Sequence, residues 1–244
     1  MTVKVDSKLF YREMRAVLGP RLRAGGFKSL KGTQLGWARP SGDQWLVLYF
    51  QCDKWGWDAQ WGSKFTLEFG RISQLDQLFT GMGRNERIGY ILEGYDELEE
   101  LRLINNAVIE CLPGTPTRLA LIAGGATSRE ILYSGVATDP SKAIYARDLW
   151  LSYYTVADVQ AWAVWFERNL PKLIDVFEHE RYSEQYLARQ RFHAAMGRMQ
   201  AASDWETKAA ILSGHLERET DSYYRDATKF RLNDLRKKQG AVSG

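Results

Sequence analysis

The side chains that most often carry chemistry are few and scattered in this sequence. Its three histidines, His179, His193 and His215, all fall in stretches of helical periodicity. On one helix His179 and His193 would stand about 21 Å apart, too far to share a metal ion. No His-x-x-x-His or Glu-x-x-His pair occurs, so neither a metal site nor a cofactor is expected. Cys52 and Cys111 stand alone without Cys-x-x-Cys spacing and read as reduced thiols. Gly-x-Ser-x-Gly is absent, and no catalytic residue is assigned. A triad assembled in space leaves no mark in spacing, so an enzyme of unrecognised type stays an alternative. Two glycine clusters, Gly81-Met82-Gly83-Arg84-Asn85 and Gly124-Gly125-Ala126-Thr127-Ser128, resemble phosphate loops only superficially. The first lacks a third glycine and the second lacks the lysine that meets the β and γ phosphates, so turns are expected, with anion nests as the alternative.

Two other groupings are better candidates for binding. Trp55, Trp57, Asp58 and Trp61 lie within seven residues between two apolar runs, holding three of the nine tryptophans. Tryptophan is enriched among the interface residues that carry most affinity, and its flat face also suits bases or sugars. The same indoles could instead serve as core. Separately, Lys8, Arg12, Arg15 and Arg23 fall along one flank of a helical pattern, followed by Lys28 and Lys31. Phosphate neutralisation by this basic stripe is the alternative route to function, although no helix-turn-helix, zinc-finger or RNP pattern accompanies it.

These groups need elements to position them. Phe10, Tyr11, Met14, Val17 and Leu18 recur at helical spacing from Ser7, with a kink expected at Gly19-Pro20 and an end at Gly25-Gly26. Leu35 to Arg39, the turn residues Pro40-Ser41-Gly42-Asp43 and the run Trp45 to Cys52 read as a β-hairpin whose second strand should be central. In Lys64 to Gly70, Phe65, Leu67 and Phe69 alternate with Lys64, Thr66 and Glu68, which predicts one buried and one solvated face. Asp96 is expected to cap a helix carrying Leu98, Leu101, Ile104, Val108 and Leu112.

Thr155 and Asp158 have capping-box spacing at the head of a long helix through Pro171. Its stripe of Val159, Trp162, Ala163, Phe166, Leu170, Leu173, Ile174 and Phe177 should dock on the sheet. Further helices follow Arg181: one to about Gln200, one opened by a box of Ser203 and Glu206, and, after a joint at Gly214, one with Leu216, Tyr223, Ala227 and Phe230 inward. The expected fold is therefore α+β. A small antiparallel sheet packs against an N-terminal helix and a long amphipathic helix in residues 1–181, with a helical extension over 182–238 and a disordered tail over 239–244.

Composition agrees with a folded domain: of 244 residues, 45% are hydrophobic and 26% charged. The longest apolar run, Trp45 to Phe50, falls far short of the ~20 residues that cross a bilayer, so no membrane partner is expected. The opening MTVKVDSKLF carries charges where a secretion signal is apolar, pointing to a cytoplasmic protein. Residues 1–40 carry nine Lys or Arg against two acids, a net +7, whereas residues 71–110 are a net −4. Such asymmetry steers charged partners without naming them.

Gly26-Phe27-Lys28, Trp45 to Gln51, Lys54-Trp55-Gly56 and Ser63 to Phe69, with Asp148 to Tyr153 and the helix at Thr155, resemble domain of unknown function 4304. The likeness covers roughly residues 5–180. It implies an uncharacterised bacterial cytoplasmic protein and supplies no activity. The expected function is a non-catalytic protein-binding module, an immunity or defence-associated protein with a protein partner. A nucleic-acid or phosphate-ligand binder acting through the basic N-terminal helix is the first alternative.

Overall fold

The computed structural model describes residues 4–31, 35–75, 86–116 and 150–242 of the chain. The glycine clusters at 81–85 and 124–128, and Asp148 and Leu149, lie outside them. The chain divides into two compact units, Met1–Arg181 and Tyr182–Gly244.

The first unit is built on a six-stranded antiparallel sheet in the order β1-β2-β3-β4-β5, with β6 also paired to β4. The strands are β1 (Lys28–Ser29), β2 (Leu35–Ser41), β3 (Gln44–Cys52), β4 (Ser63–Ile72), β5 (Glu86–Arg87) and β6 (Leu151–Tyr153). The β2–β3 hairpin closes with Ser41 opposite Gln44 across Gly42-Asp43, and Gly42 takes a φ of 63° that other residues rarely adopt. As its apolar run predicts, β3 lies inside the sheet, between β2 and β4. The sheet is twice the size the three recognisable strands imply. The added strands, of two or three residues each, are too short to show a period in sequence.

Two long helices cover one sheet face. Helix α1 (Ser7–Ala24) is capped by Asp6, whose carboxylate accepts from the Leu9 N–H at 2.9 Å, and it continues through Pro20. Helix α4 (Val156–Glu178) opens on the expected box: the Thr155 hydroxyl accepts from Asp158 N, and the Asp158 carboxylate accepts from Thr155 N at 2.7 Å. Both helices set aromatic rings on the same strands. Phe10 stacks at 5.0 Å on Tyr153 and lies 4.6 Å from Phe65, while Phe166 meets Phe50 edge-on at 5.2 Å and Trp162 meets Phe65 at 5.9 Å. Full burial of each such side chain is worth about 2–3 kcal/mol, so this cluster is the principal core.

The opposite sheet face departs from expectation. Thr66 and Glu68 of β4 are buried rather than solvated, and Ala38, Val47, Tyr49 and Ile72 form a second apolar cluster there. Glu68 is tolerated because it accepts hydrogen bonds from the Tyr49 hydroxyl and, at 3.1 Å, from Arg87 Nε. Strict alternation of apolar and polar types signals one solvated face only when nothing covers the polar side. Between β5 and β6 in sequence come α2 (Ile88–Ile91) and α3 (Asp96–Glu110). The residue before α3 is Tyr95, without a side-chain cap, so Asp96 lies in the first turn instead of capping it. Glu97 and Glu100 of α3 pair with Lys172 and Arg168 of α4.

The second unit consists of α5 (Glu184–Ala201), α6 (Trp205–Arg218) and α7 (Ser222–Val242). Asp204, not Ser203, caps α6, accepting from Thr207 N at 2.7 Å. Gly214 lies within α6, and the joint falls at Glu219 to Asp221. Helix α7 buries Tyr224, Thr228 and Leu232, leaving Tyr223 and Phe230 exposed, one residue out of phase with the expected face. It also runs to Val242, four residues into the stretch read as a tail.

Candidate functional site

The tryptophan segment is the connection between β3 and β4, and its members part company. Trp57 is half-buried: its indole N–H donates to the Tyr154 carbonyl at 3.0 Å, and its ring stacks on that of Tyr154 at 5.5 Å. The Tyr154 hydroxyl returns a hydrogen bond of 2.9 Å to the Ala59 carbonyl. Trp61 is also half-buried, its ring lying where a Cβ on Gly114 would be. Gly114 N donates to the Gln60 carbonyl at 2.9 Å, fixing that approach. Asp58 is a structural residue, accepting from the N–H groups of Gln60 at 2.7 Å and Trp61 at 3.0 Å. Gly62, at a φ of 63°, leaves no room for a Cβ against the Tyr153 carbonyl. Anchored and exposed side chains are therefore both present in one segment.

Trp55 stands apart. It is 80% exposed, the most exposed of the large hydrophobic side chains among the described residues. The Lys54 ammonium lies 4.9 Å from its ring centroid, a cation–π contact that occupies one face. Its backbone is held by the Asp53 carboxylate, which accepts from Trp55 N at 3.2 Å, and by a turn at Gly56 with a φ of 74°. The loop thus presents one indole from a base ordered by hydrogen bonds. Tyr154 is the residue that sequence reasoning missed. No pattern marks a half-buried tyrosine nearly a hundred positions away as the platform for Trp57.

The basic residues are distributed as the helical wheel requires. Lys8, Arg12, Arg15 and Arg23 are exposed along α1, and Lys28 and Lys31 are exposed after it. Arg12 is neutralised locally by Glu13, at 2.9 Å, and the Glu13 carboxyl is held below its ordinary value chiefly by that Arg12 hydrogen bond. Lys8, Arg15 and Arg23 have no ion pair among the described residues. Lys8 and Arg23 are about 22 Å apart along the axis, so the structure gathers a stripe and not a pocket.

The other chemistry-bearing residues sit elsewhere. Cys52 lies between Tyr11 and Tyr153, whose hydroxyl is 4.0 Å from its Sγ, and burial pushes its thiol up to about 11. Cys111 is exposed. The same burial raises the phenol of Tyr49, and its hydrogen bond to Glu68 adds to that. His215 is buried in the second unit, while His179 pairs with Asp175 on the surface. Among the described residues no group of three or more His, Cys, Asp or Glu is placed to hold a metal ion. No helix there is long and apolar enough to cross a membrane. Comparisons with protein-family models, curated proteins and solved structures return no match.

Proposed function

We propose that this chain is a non-catalytic protein-binding module that takes hold of its partner through the β3–β4 connection, with Trp55 as the anchor. The observation that carries this reading is the contrast within one loop. Trp57 and Trp61 are anchored to the fold, whereas Trp55 is 80% exposed on a backbone fixed on either side. A rigid aromatic loses little conformational entropy on binding and brings a large apolar area to a partner pocket. Lys54 beside it adds a charge that favours an acidic rim on the partner. The likeness to domain of unknown function 4304, a bacterial cytoplasmic setting and an immunity or defence role belong to this same proposal. An occluding protein needs such an anchor and no reactive centre.

The test compares wild type with Trp55→Ala and Trp57→Ala as bait in the native host, with nuclease treatment. Trp55→Ala is expected to leave stability within about 0.5 kcal/mol, as surface substitutions do, and to lose the stoichiometric partner. Trp57→Ala is expected to cost about 1–3 kcal/mol because it breaks a stacked, hydrogen-bonded contact. A partner retained by Trp55→Ala rejects the proposal. A second reading, binding of nucleic acid or another polyphosphate, is favoured by Lys8, Arg15 and Arg23, which have no ion pair among the described residues. It predicts nuclease-sensitive recovery of nucleic acid that is lost in Arg15→Ala/Arg23→Ala and weakens steeply with salt.

A further inference from the structure

A cavity of about 290 Å³ opens where the end of α1, the turn before β1, strand β2 and the C-terminal half of α4 meet. Its deep wall is apolar: Leu22, Phe27 and Leu170 line it and are themselves nearly inaccessible to solvent, with the half-buried Ile174 beside them. Two arginines border it, Arg21 and Arg39. They are not equivalent. Arg39 is neutralised by Glu178, donates at 3.3 Å to the Gly25 carbonyl and lies 4.9 Å from the Phe27 ring centroid. Arg21 is exposed, and its guanidinium has no ion pair among the described residues. The helix-end carbonyls do not occupy it. Those of Arg21, Leu22 and Arg23 are capped by the N–H groups of Gly25, Phe27 and Gly26 at 2.9–3.0 Å.

An apolar hollow bordered by an arginine with no ion pair among the described residues has a definite complement. From these features we infer a ligand site for a small apolar monoanion, a molecule with one aliphatic or aromatic body and one carboxylate. At interior packing density the volume holds about ten to twelve heavy atoms. The body displaces water from Leu22, Phe27, Leu170 and Ile174. The carboxylate takes paired donors from Arg21, whose planar fork matches it. Arg39, fixed by Glu178 and Phe27, contributes shape rather than net charge. The excess of exposed cations at Arg23, Lys28 and Lys31 raises the local concentration of any anion. This site is separate from the Trp55 loop and stands or falls independently of it.

The test titrates the full chain, labelled with nitrogen-15, with 3-phenylpropionate and with its neutral analogue 3-phenylpropan-1-ol. Saturable shifts at the amides of Leu22, Phe27 and Ile174 are expected with the acid, and the alcohol should bind about three- to tenfold more weakly. Arg21→Gln removes an exposed charge that has no ion pair among the described residues, and should weaken the acid by a similar factor while leaving the alcohol unchanged. Ile174→Trp fills the hollow and should abolish both, its own spectrum confirming the fold. No saturable shift with the acid, equal affinity for acid and alcohol, or an unchanged affinity in Arg21→Gln overturns the inference.

Discussion

Single side chains in this protein owe their chemistry to what surrounds them more than to their type. The two cysteines show it most directly. Cys52 ends β3 between two phenols, and burial is the largest influence on its thiol, raising it to about 11. Only the thiolate is nucleophilic, so at pH 8 almost none of Cys52 is in the reactive form. Cys111 follows the last turn of α3 and is exposed. Disulfide-exchange reagent at pH 8 should therefore label one thiol of the native protein quickly. The second should react far more slowly, because the half-buried Cys52 holds little thiolate at that pH, and should speed up as pH approaches 11. Cys111→Ser should remove the fast phase and leave the slow one. Two fast thiols would mean that the end of β3 is open to solvent. The division of labour among Trp55, Trp57 and Trp61 has the same origin, since nothing in the residue type distinguishes the exposed indole from the anchored pair.

At the scale of elements, the joint between α6 and α7 is an electrostatic assembly. Glu219 accepts from Arg191 Nε at 3.0 Å and Nη2 at 2.9 Å, and from the N–H groups of Thr220 and Asp221 at 3.0 Å. Arg191 is therefore the first cause of its lowered carboxyl pKa. One turn earlier His215 is buried, and desolvation holds its imidazole below the usual value. Nearby Glu219 opposes that effect, and Arg191, Arg218 and Arg198 reinforce it. Both folded-state values lie below the unfolded ones, so both groups bind protons more readily when unfolded, and both withdraw stability as pH falls. The histidine contribution fades first, below its ordinary value of about 6.5, and the carboxylate contribution fades below about 4.5. Amide protection factors in α5 to α7, which remove the intrinsic pH dependence of exchange, should fall between pH 6.5 and 5 while those of α1 and α4 hold. His215→Gln should remove that upper step only. Protection factors independent of pH above 5 would reject the assignment.

The elements that sequence made legible were those with a long period and a local stop signal. Helix α4 announced itself through eight apolar positions and a capping box, and both are present. The hairpin announced itself through Gly42-Asp43 and the run that became β3. What escaped was set by distant contacts. Thr66 and Glu68 looked solvent-facing because no local pattern shows what covers a sheet. Helix α7 was read one residue out of phase because Tyr223 and Phe230 are apolar by type, yet the face it buries includes Thr228. Thr228 satisfies its hydroxyl on the Tyr224 carbonyl at 2.7 Å, so a polar residue can sit on the buried side. In the candidate sites, Trp55 and the basic stripe were visible as types. Their separation from Trp57 and Arg12 depended on Tyr154 and Glu13.

For the molecule as a whole, the boundary after Arg181 has a physical basis on its N-terminal side. Helix α4 ends at Glu178 with His179 as its C-cap, Glu180 takes a φ of 53°, and Arg181 N donates back to the Val176 carbonyl at 2.9 Å. The Arg181 guanidinium pairs with Asp175 at 2.8 Å, and the Tyr95 hydroxyl donates to the Arg181 carbonyl. The chain is thus tied to the first unit up to its last residue there. Each unit also has its own core: Phe10, Phe50, Phe65, Tyr153 and Phe166 in the first, and Ala188, Phe192 and Tyr224 in the second. The second core is small and shares its interior with Arg189, His215 and Glu219. A unit of about 60 residues so composed has little stability to spare. A chain ending at Ser183 is therefore expected to give a dispersed amide spectrum and one cooperative thermal transition, with the Trp57 and Trp162 indole resonances at their full-length positions. The isolated residues 182–244 should melt broadly at lower temperature. Aggregation or a collapsed, undispersed spectrum of the shorter chain would show instead that the α+β unit depends on the helices that follow it.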